Sequence, residues 1–219
     1  MRETFQEHLA ELEQDIFTMG EMVSIAVNRA VKALRERDVG EAERIKHDDK
    51  YINEKRWEIE EKCIYLIATQ QPVATDLREL IAVLNIITEL ERMGDYAEGI
   101  AKIVVKIGDQ PPVKPLVDIP RMAEIAIEMI NKALKAYTER DDKSARLICD
   151  QDDQVDELYT QVYRELLTIM IEDPRTITRA TYLIWTSHNL ERIADRVTNI
   201  CERIIFLVTG EMVENVSKY

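Results

Sequence analysis

The sequence predicts an all-α protein made of two tandem, homologous three-helix bundles, each running up-down-up in the manner of a spectrin repeat. Three observations carry this. Glycine and proline number only six each in 219 residues, while Ala, Glu, Ile, Leu, Lys and Arg, the residues that tolerate or favour helix, abound. The few helix-breaking stretches are widely spaced and come in the same order in both halves. The two halves also match each other residue by residue.

The breaks define the elements. "RDVGEAE" (37–43) and "QQPVATD" (70–76) interrupt the first half, "RDDKSAR" (140–146) and "EDPRT" (172–176) the second, and "GDQPPVKPLVDIP" (108–120) is the proline-rich linker. Between them lie six helical segments, roughly 3–37, 40–69, 73–107, 119–139, 142–172 and 174–209, with a short tail after Gly210. The expected organisation is a first repeat over 1–110, a linker over 111–120 and a second repeat over 121–219.

Self-similarity fixes the repeat. "LERMGD" (90–95) meets "LERIAD" (190–195) at an offset of 100. Upstream the offset is 103: Ala30, Ala33, Asp38, Ala42, Ile45 and Asp49 meet Ala133, Ala136, Asp141, Ala145, Ile148 and Asp152. The difference falls in the loop between second and third helices, where a deletion is tolerated. Both third helices carry an apolar stripe of helical period, Val83, Ile87, Leu90, Gly94, Ala97, Ala101, Val104 and Leu183, Ser187, Leu190, Ala194, Val197, Cys201, Ile204, which predicts one face turned to a core. Position 94/194 is small in both, so a neighbouring backbone or a ligand can come close.

Composition narrows the function. The net charge is −13 and no run of Lys or Arg occurs, so a nucleic-acid partner is not expected. Cys63, Cys149 and Cys201 are isolated among apolar neighbours and read as reduced, buried thiols. The N-terminus "MRETFQEHLAEL" has no apolar stretch of the signal-peptide kind, and no window spans a bilayer. The expectation is a cytoplasmic protein that reaches a membrane only through partners.

The chemistry-bearing pattern is a pair of like charges. Glu91 and Asp95, and again Glu191 and Asp195, stand i, i+4 on one helix face, where carboxylates repel. Reflecting positions through the connecting turns sets Glu91 level with Asn53, Asp95 with Asp49, Glu191 with Asp156 and Asp195 with Asp152. It also brings Asn28 and Asn131, on the first helices, to about this height. Each half therefore gathers oxygen side chains from three helices at one level. Such a set suits a hard cation and does not separate Fe, Mn, Mg, Zn or Ca. The alternative is a solvated ion-pair lattice, since Arg92 and Arg192 lie i, i+3 from the aspartates.

These residues resemble the PhoU family of phosphate-transport regulators. "DDKYIN…WEIEEKCIYLIATQQPVATDLRELIAVLNIITELERMGDYAEGIA" looks like the family's first repeat, with its Gln-Gln-Pro-x-Ala-x-Asp-Leu-Arg turn at Gln70–Arg78. "NLERIADRVTNICE" looks like its closing motif, and the resemblance covers nearly the whole chain. It implies a non-enzymatic cytoplasmic regulator, acting negatively on the phosphate ABC transporter through its ATPase subunit and on a phosphate-sensing histidine kinase where one exists. It also implies a homodimer and multinuclear metal binding, with iron clusters in some members. The motif positions carried over are Glu91, Asp95, Glu191 and Asp195, with Asp49, Asn53, Asp152 and Asp156 from the second helices. Asn53 departs from the usual Asp and leaves the first set one carboxylate short. Glu98, one turn beyond Asp95, compensates in charge, while its counterpart Thr198 is neutral and is followed by Asn199.

Two rivals stand beside this reading. A ferritin-type di-iron oxidase needs Glu-x-x-His from two helices, whereas the chain has only His8, His47 and His188, the last placed before Glu191 in reversed order. A metal-free helical adaptor would use the acidic levels only to steer basic partners.

Overall fold

The turn that ends the first helix shows how the sequence builds each half. Arg37 adopts a left-handed backbone (φ 57°), Asp38 N–H returns to Ala33 O at 3.0 Å, and the Asp38 carboxylate caps the next helix by accepting Glu41 N–H at 2.8 Å. This is a Schellman stop followed at once by an N-cap. The second half repeats it at equivalent residues. Arg140 is left-handed (φ 54°), Asp141 N–H returns to Ala136 O at 3.0 Å, and Asp141 Oδ1 accepts from Lys143 and Ser144 N–H, each at 3.1 Å.

The computed structural model describes residues 2–213; residues 214–219 of the expected tail lie outside the described residues. Its α-helices are α1 (Arg2–Glu36), α2 (Val39–Gln70), α3 (Thr75–Ile107), α4 (Asp118–Glu139), α5 (Asp142–Cys149), α6 (Asp152–Glu172) and α7 (Ile177–Thr209), with one 3-10 turn, Pro174–Thr176, leading into α7. No strand occurs among the described residues. The first half packs α1, α2 and α3 together, the second packs α4, α5, α6 and α7, and the halves join through α1 with α4 and, most extensively, α3 with α7.

Every residue of the two third-helix stripes is buried. They contribute to one continuous apolar cluster that runs through both halves, where each fully buried Leu or Ile stabilises by about 2 kcal/mol. All three cysteines are buried, as their neighbours imply.

One expected element is corrected. The segment 142–172 is two helices, parted at Asp150 and Gln151. Both residues keep right-handed helical backbone (φ −67°, ψ −19° and φ −74°, ψ −20°), but the bonding tightens to i→i−3, from Gln151 N–H to Ile148 O at 3.0 Å and from Gln154 N–H to Gln151 O at 3.1 Å. Lys132 reaches Gln151 Oε1 at 3.3 Å across this point. The equivalent pair in the first half is an ion pair, Arg29 to Asp48 at 2.8 Å, and α2 runs through unbroken. The break makes Asp152 and Asp153 the acidic first turn of α6, where the helix dipole favours carboxylates.

Across the α3–α7 contact the halves face each other antiparallel. Asn199 Nδ2 donates to Glu89 Oε2 at 3.1 Å, Arg196 Nη1 reaches the same oxygen at 3.3 Å, and Tyr96 sits against Arg192 and Arg196. At the mirrored level, a Cβ on Gly99 would stand 3.1 Å from Asn189 Nδ2. Residues 89 and 199, and 99 and 189, are exchanged by the repeat, so the seam has an approximate two-fold axis. Arg140 adds a second tie between halves: its Nη2 bonds Glu13 on α1 at 3.0 Å and also Glu79 on α3, while its guanidinium lies 4.9 Å from the buried Tyr137 ring.

Candidate metal centre

Each half presents a carboxylate set where its third helix meets its second. In the first half the centre is Asp49 on α2, which faces Asp95, Glu98 and Glu91 on α3. Gly94 permits this approach, because a Cβ there would stand 3.1 Å from Ile52 Cδ1 and 3.4 Å from Asp49 Oδ1. Burial, and then the charges of Asp95 and Glu98, push the Asp49 carboxyl up to about 6. Burial and Asp95 likewise raise Glu91, against Arg56 and Arg92, and burial with Glu98 raises Asp95, against Lys102 and Arg92. Asn53 donates its amide to Asp49 Oδ2 at 2.9 Å, and this bond favours the ionised carboxylate.

In the second half the centre is Asp152 on α6, only 9% exposed. Its neighbours are Asp156 and Asp153 on the same helix and Asp195 and Glu191 on α7. Burial first, then Asp156 and Asp195, push it up to about 7. Burial and Asp195 push Glu191 up to about 7 against Arg192, and burial and Asp195 raise Asp156. Asp152 Oδ1 and Glu191 Oε2 are buried atoms with no hydrogen bond; His188 Nδ1 lies 3.2 Å from that glutamate oxygen but out of line. A buried carboxylate oxygen without a donor is costly, and this acidic set holds two of them.

The structure thus brings together Asp49, Asn53, Glu91, Asp95 and Glu98 in one half and Asp152, Asp156, Glu191 and Asp195 in the other. It does not bring in Asn199, whose amide serves the α3–α7 seam by bonding Glu89. Asn28 and Asn131 are also elsewhere: they line an open groove between α1 and α4. A level along the bundle leaves rotation about the helix axis open, and rotation decides which side chains converge. The ion-pair alternative is realised once, from Arg192 Nη1 to Asp195 Oδ2 at 2.7 Å. Asp153 is the neighbour that sequence reasoning missed; its place in an acidic helix start was the available signal. Among the described residues, no three His, Cys, Asp or Glu side chains already converge as a ready-made cation site.

Among the second-helix positions facing the motif the two centres differ at Asn53, which stands where the other half has Asp156, and a prediction follows from it. Asn53→Asp replaces a donor to Asp49 with a fourth repelling carboxylate. The Asp49 carboxyl is expected to titrate about one unit higher by carboxyl-carbon NMR. Unchanged titration would mean that Asn53 does not shape this set.

Comparison with known proteins places the molecule. Residues 16–104 and 119–204 each match the PhoU domain. The chain belongs to the PhoU family. It is 39% identical over 214 residues to a protein of Clostridium acetobutylicum described as a phosphate-specific transport system accessory protein PhoU homolog, over 97% of this chain and 98% of that one. The Aquifex aeolicus protein of the same description is 39% identical, over 94% of each chain. The crystal structure of the phosphate transport system regulatory protein PhoU from Streptococcus pneumoniae superposes with a TM-score of 0.89 at 32% identity, covering 96% of this chain and 99% of that chain. PhoU from Pseudomonas aeruginosa gives the same score at 34% identity, over 94% and 100%. Each PhoU domain contains one of the two carboxylate sets. The all-α, tandem-repeat architecture is thereby that of solved PhoU proteins, and no helix among the described residues is long and apolar enough to cross a membrane.

Proposed function

We propose that this PhoU protein is a metal-binding, non-enzymatic regulator that restrains phosphate uptake, working as a homodimer on the cytoplasmic side of the membrane through its partners. The observation that supports it is Asp152: a buried carboxylate with an unbonded oxygen, ringed by Asp156, Asp195 and Glu191. The donor set is all oxygen and fits a divalent or iron cation. Glu191, Asp195, Asp152 and Asp156 would hold it in the second half, and Glu91, Asp95, Asp49 and Glu98 in the first. A bound cation would supply the positive charge that lets these acids ionise together. Side-chain rotation would close the sets, and the neutralised face would dock on the ATPase subunit of a phosphate ABC transporter or on a phosphate-sensing histidine kinase. The relatives' descriptions as accessory or regulatory proteins of phosphate transport support the pathway.

The metal half of the reading is tested by elemental analysis of protein purified without chelator, beside the Asp95→Ala/Asp195→Ala double variant. Metal is expected in the native chain and largely lost in the variant. Equal metal content would sink it. The docking half is tested by pull-down of the transporter ATPase and the sensor kinase, with metal, at high and low phosphate. Capture of neither removes it.

A further inference from the structure

The repeat offers an internal control for every residue, and one position fails to match. Arg140 ends α4 held by two acids, Glu13 and Glu79. Its counterpart Arg37 ends α1 in the same left-handed turn. The counterparts of Glu13 and Glu79 at the repeat offsets are Leu116 and Arg179. Where the second half's turn has an arginine between two carboxylates, the equivalent positions around the first half's turn hold a leucine and a second arginine.

Arg37 and Arg179 line one small pocket under the linker, walled by apolar side chains including Leu34, Val113, Leu116 and Leu183. Its volume is about 30 Å³, room for about two waters, which is an oxyanion head and not a ring or a sugar. Arg179 Nη1 donates to the linker carbonyl of Pro111 at 2.7 Å, which fixes one guanidinium and leaves its other donors. Neither arginine forms a salt bridge among the described residues. The acids nearest in sequence are engaged: Asp38 caps α2, Glu36 pairs with Arg35 at 3.6 Å, and Asp173 pairs with Arg175 at 2.9 Å. None of the three lines the pocket. Asp173 is within electrostatic reach of Arg179, but in a chain of net charge −13 the pocket's own lining holds two arginines and no carboxylate.

We propose that this pocket binds a compact oxyanion, a phosphate or carboxylate group, between the guanidinium groups of Arg37 and Arg179. Arginine's planar fork of donors matches such groups, and the apolar walls strengthen the charge-assisted bonds. The pocket shares no residue with either carboxylate set, so the proposal is independent of metal. Because Arg179 also holds Pro111, occupancy stiffens the linker between the halves.

The test is calorimetric titration of the full chain with sodium phosphate, sulfate and acetate, against chloride at matched ionic strength. Chelator is present throughout, so that no cation bridges an anion to the acidic sets. Saturable binding of phosphate or acetate is expected, and which of them binds tells a tetrahedral ligand from a carboxylate. Three variants locate it. Arg37→Asn, a residue that accepts the left-handed turn, and Arg179→Gln should each weaken binding about tenfold or more. Leu116→Glu, which rebuilds the acid found in the other half, should close the site by pairing with Arg37. No saturable binding beyond chloride, or binding that survives Arg37→Asn and Leu116→Glu in folded protein, overturns the proposal.

Discussion

Asp152→Asn is expected to stabilise the chelated protein at pH 8 and to remove the second half's share of its response to divalent cations. An unfolded aspartate ionises near 4, whereas burial and the facing carboxylates hold Asp152 near 7 in the fold. A carboxyl raised in this way leaves stability intact below about pH 4. Stability is then lost as pH climbs toward 7, and above 7 the whole penalty applies. Three units of displacement correspond to about 4 kcal/mol as an upper bound, so the gain on neutralising the site at pH 8 is on the order of 2–4 kcal/mol. In a chain of this length that is a rise in Tm of about 4–16 °C. At pH 4 the variant and the native chain should melt together. Added Mg²⁺ or Mn²⁺ should raise the native Tm at pH 8 and raise that of the variant less, since only the first-half set remains to bind. A variant that is less stable than the native chain at pH 8 without metal would contradict the electrostatic account of the site.

Arg140→Met acts in the opposite direction. Methionine keeps the stem against Tyr137 and the same left-handed backbone, but deprives Glu13 and Glu79 of their shared cation. Removing one member of a buried pair costs about 3–5 kcal/mol. Arg140 keeps 34% of its side chain exposed, which lowers the expectation to about 2 kcal/mol, a fall in Tm of about 4–8 °C. Burial, reinforced by Glu79, already holds the Glu13 carboxyl above its ordinary value despite Arg140, so acid relieves the variant by protonating it. Adding Glu79→Gln should recover part of the loss at pH 7. Full stability of the single variant would show that the α1–α4 and α3–α7 packing holds the halves together without this tie.

The fold was legible because its punctuation is chemical. Arg-Asp before Gly-Glu or Lys-Ser, Gln-Gln-Pro and Asp-Pro mark turns that local physics enforces, and the structure puts turns there. The break at Asp150–Gln151 was not legible, since both residues keep helical backbone and the change in bonding lies beside a contact to Lys132 on another helix. The carboxylate sets were legible in height, because antiparallel helices share a ruler of 1.5 Å per residue. Their membership was not fully legible. Rotation about each axis decides whether an amide such as Asn199 turns to Asp195 or to Glu89, and rotation depends on the packing of α3 against α7, which pairs residues about 100 apart in sequence.

That antiparallel seam has a consequence for how the molecule can diversify. A true dimer of identical halves meets every substitution twice, on both sides of the axis, and must survive both copies. Here one peptide carries both halves, so each side drifts alone. Asn53 faces Asp49 while Asp156 faces Asp152; Leu116 stands where the partner half has Glu13. The single chain keeps the architecture of a symmetric pair and is released from its symmetry, with one half free to specialise while the other preserves the original chemistry.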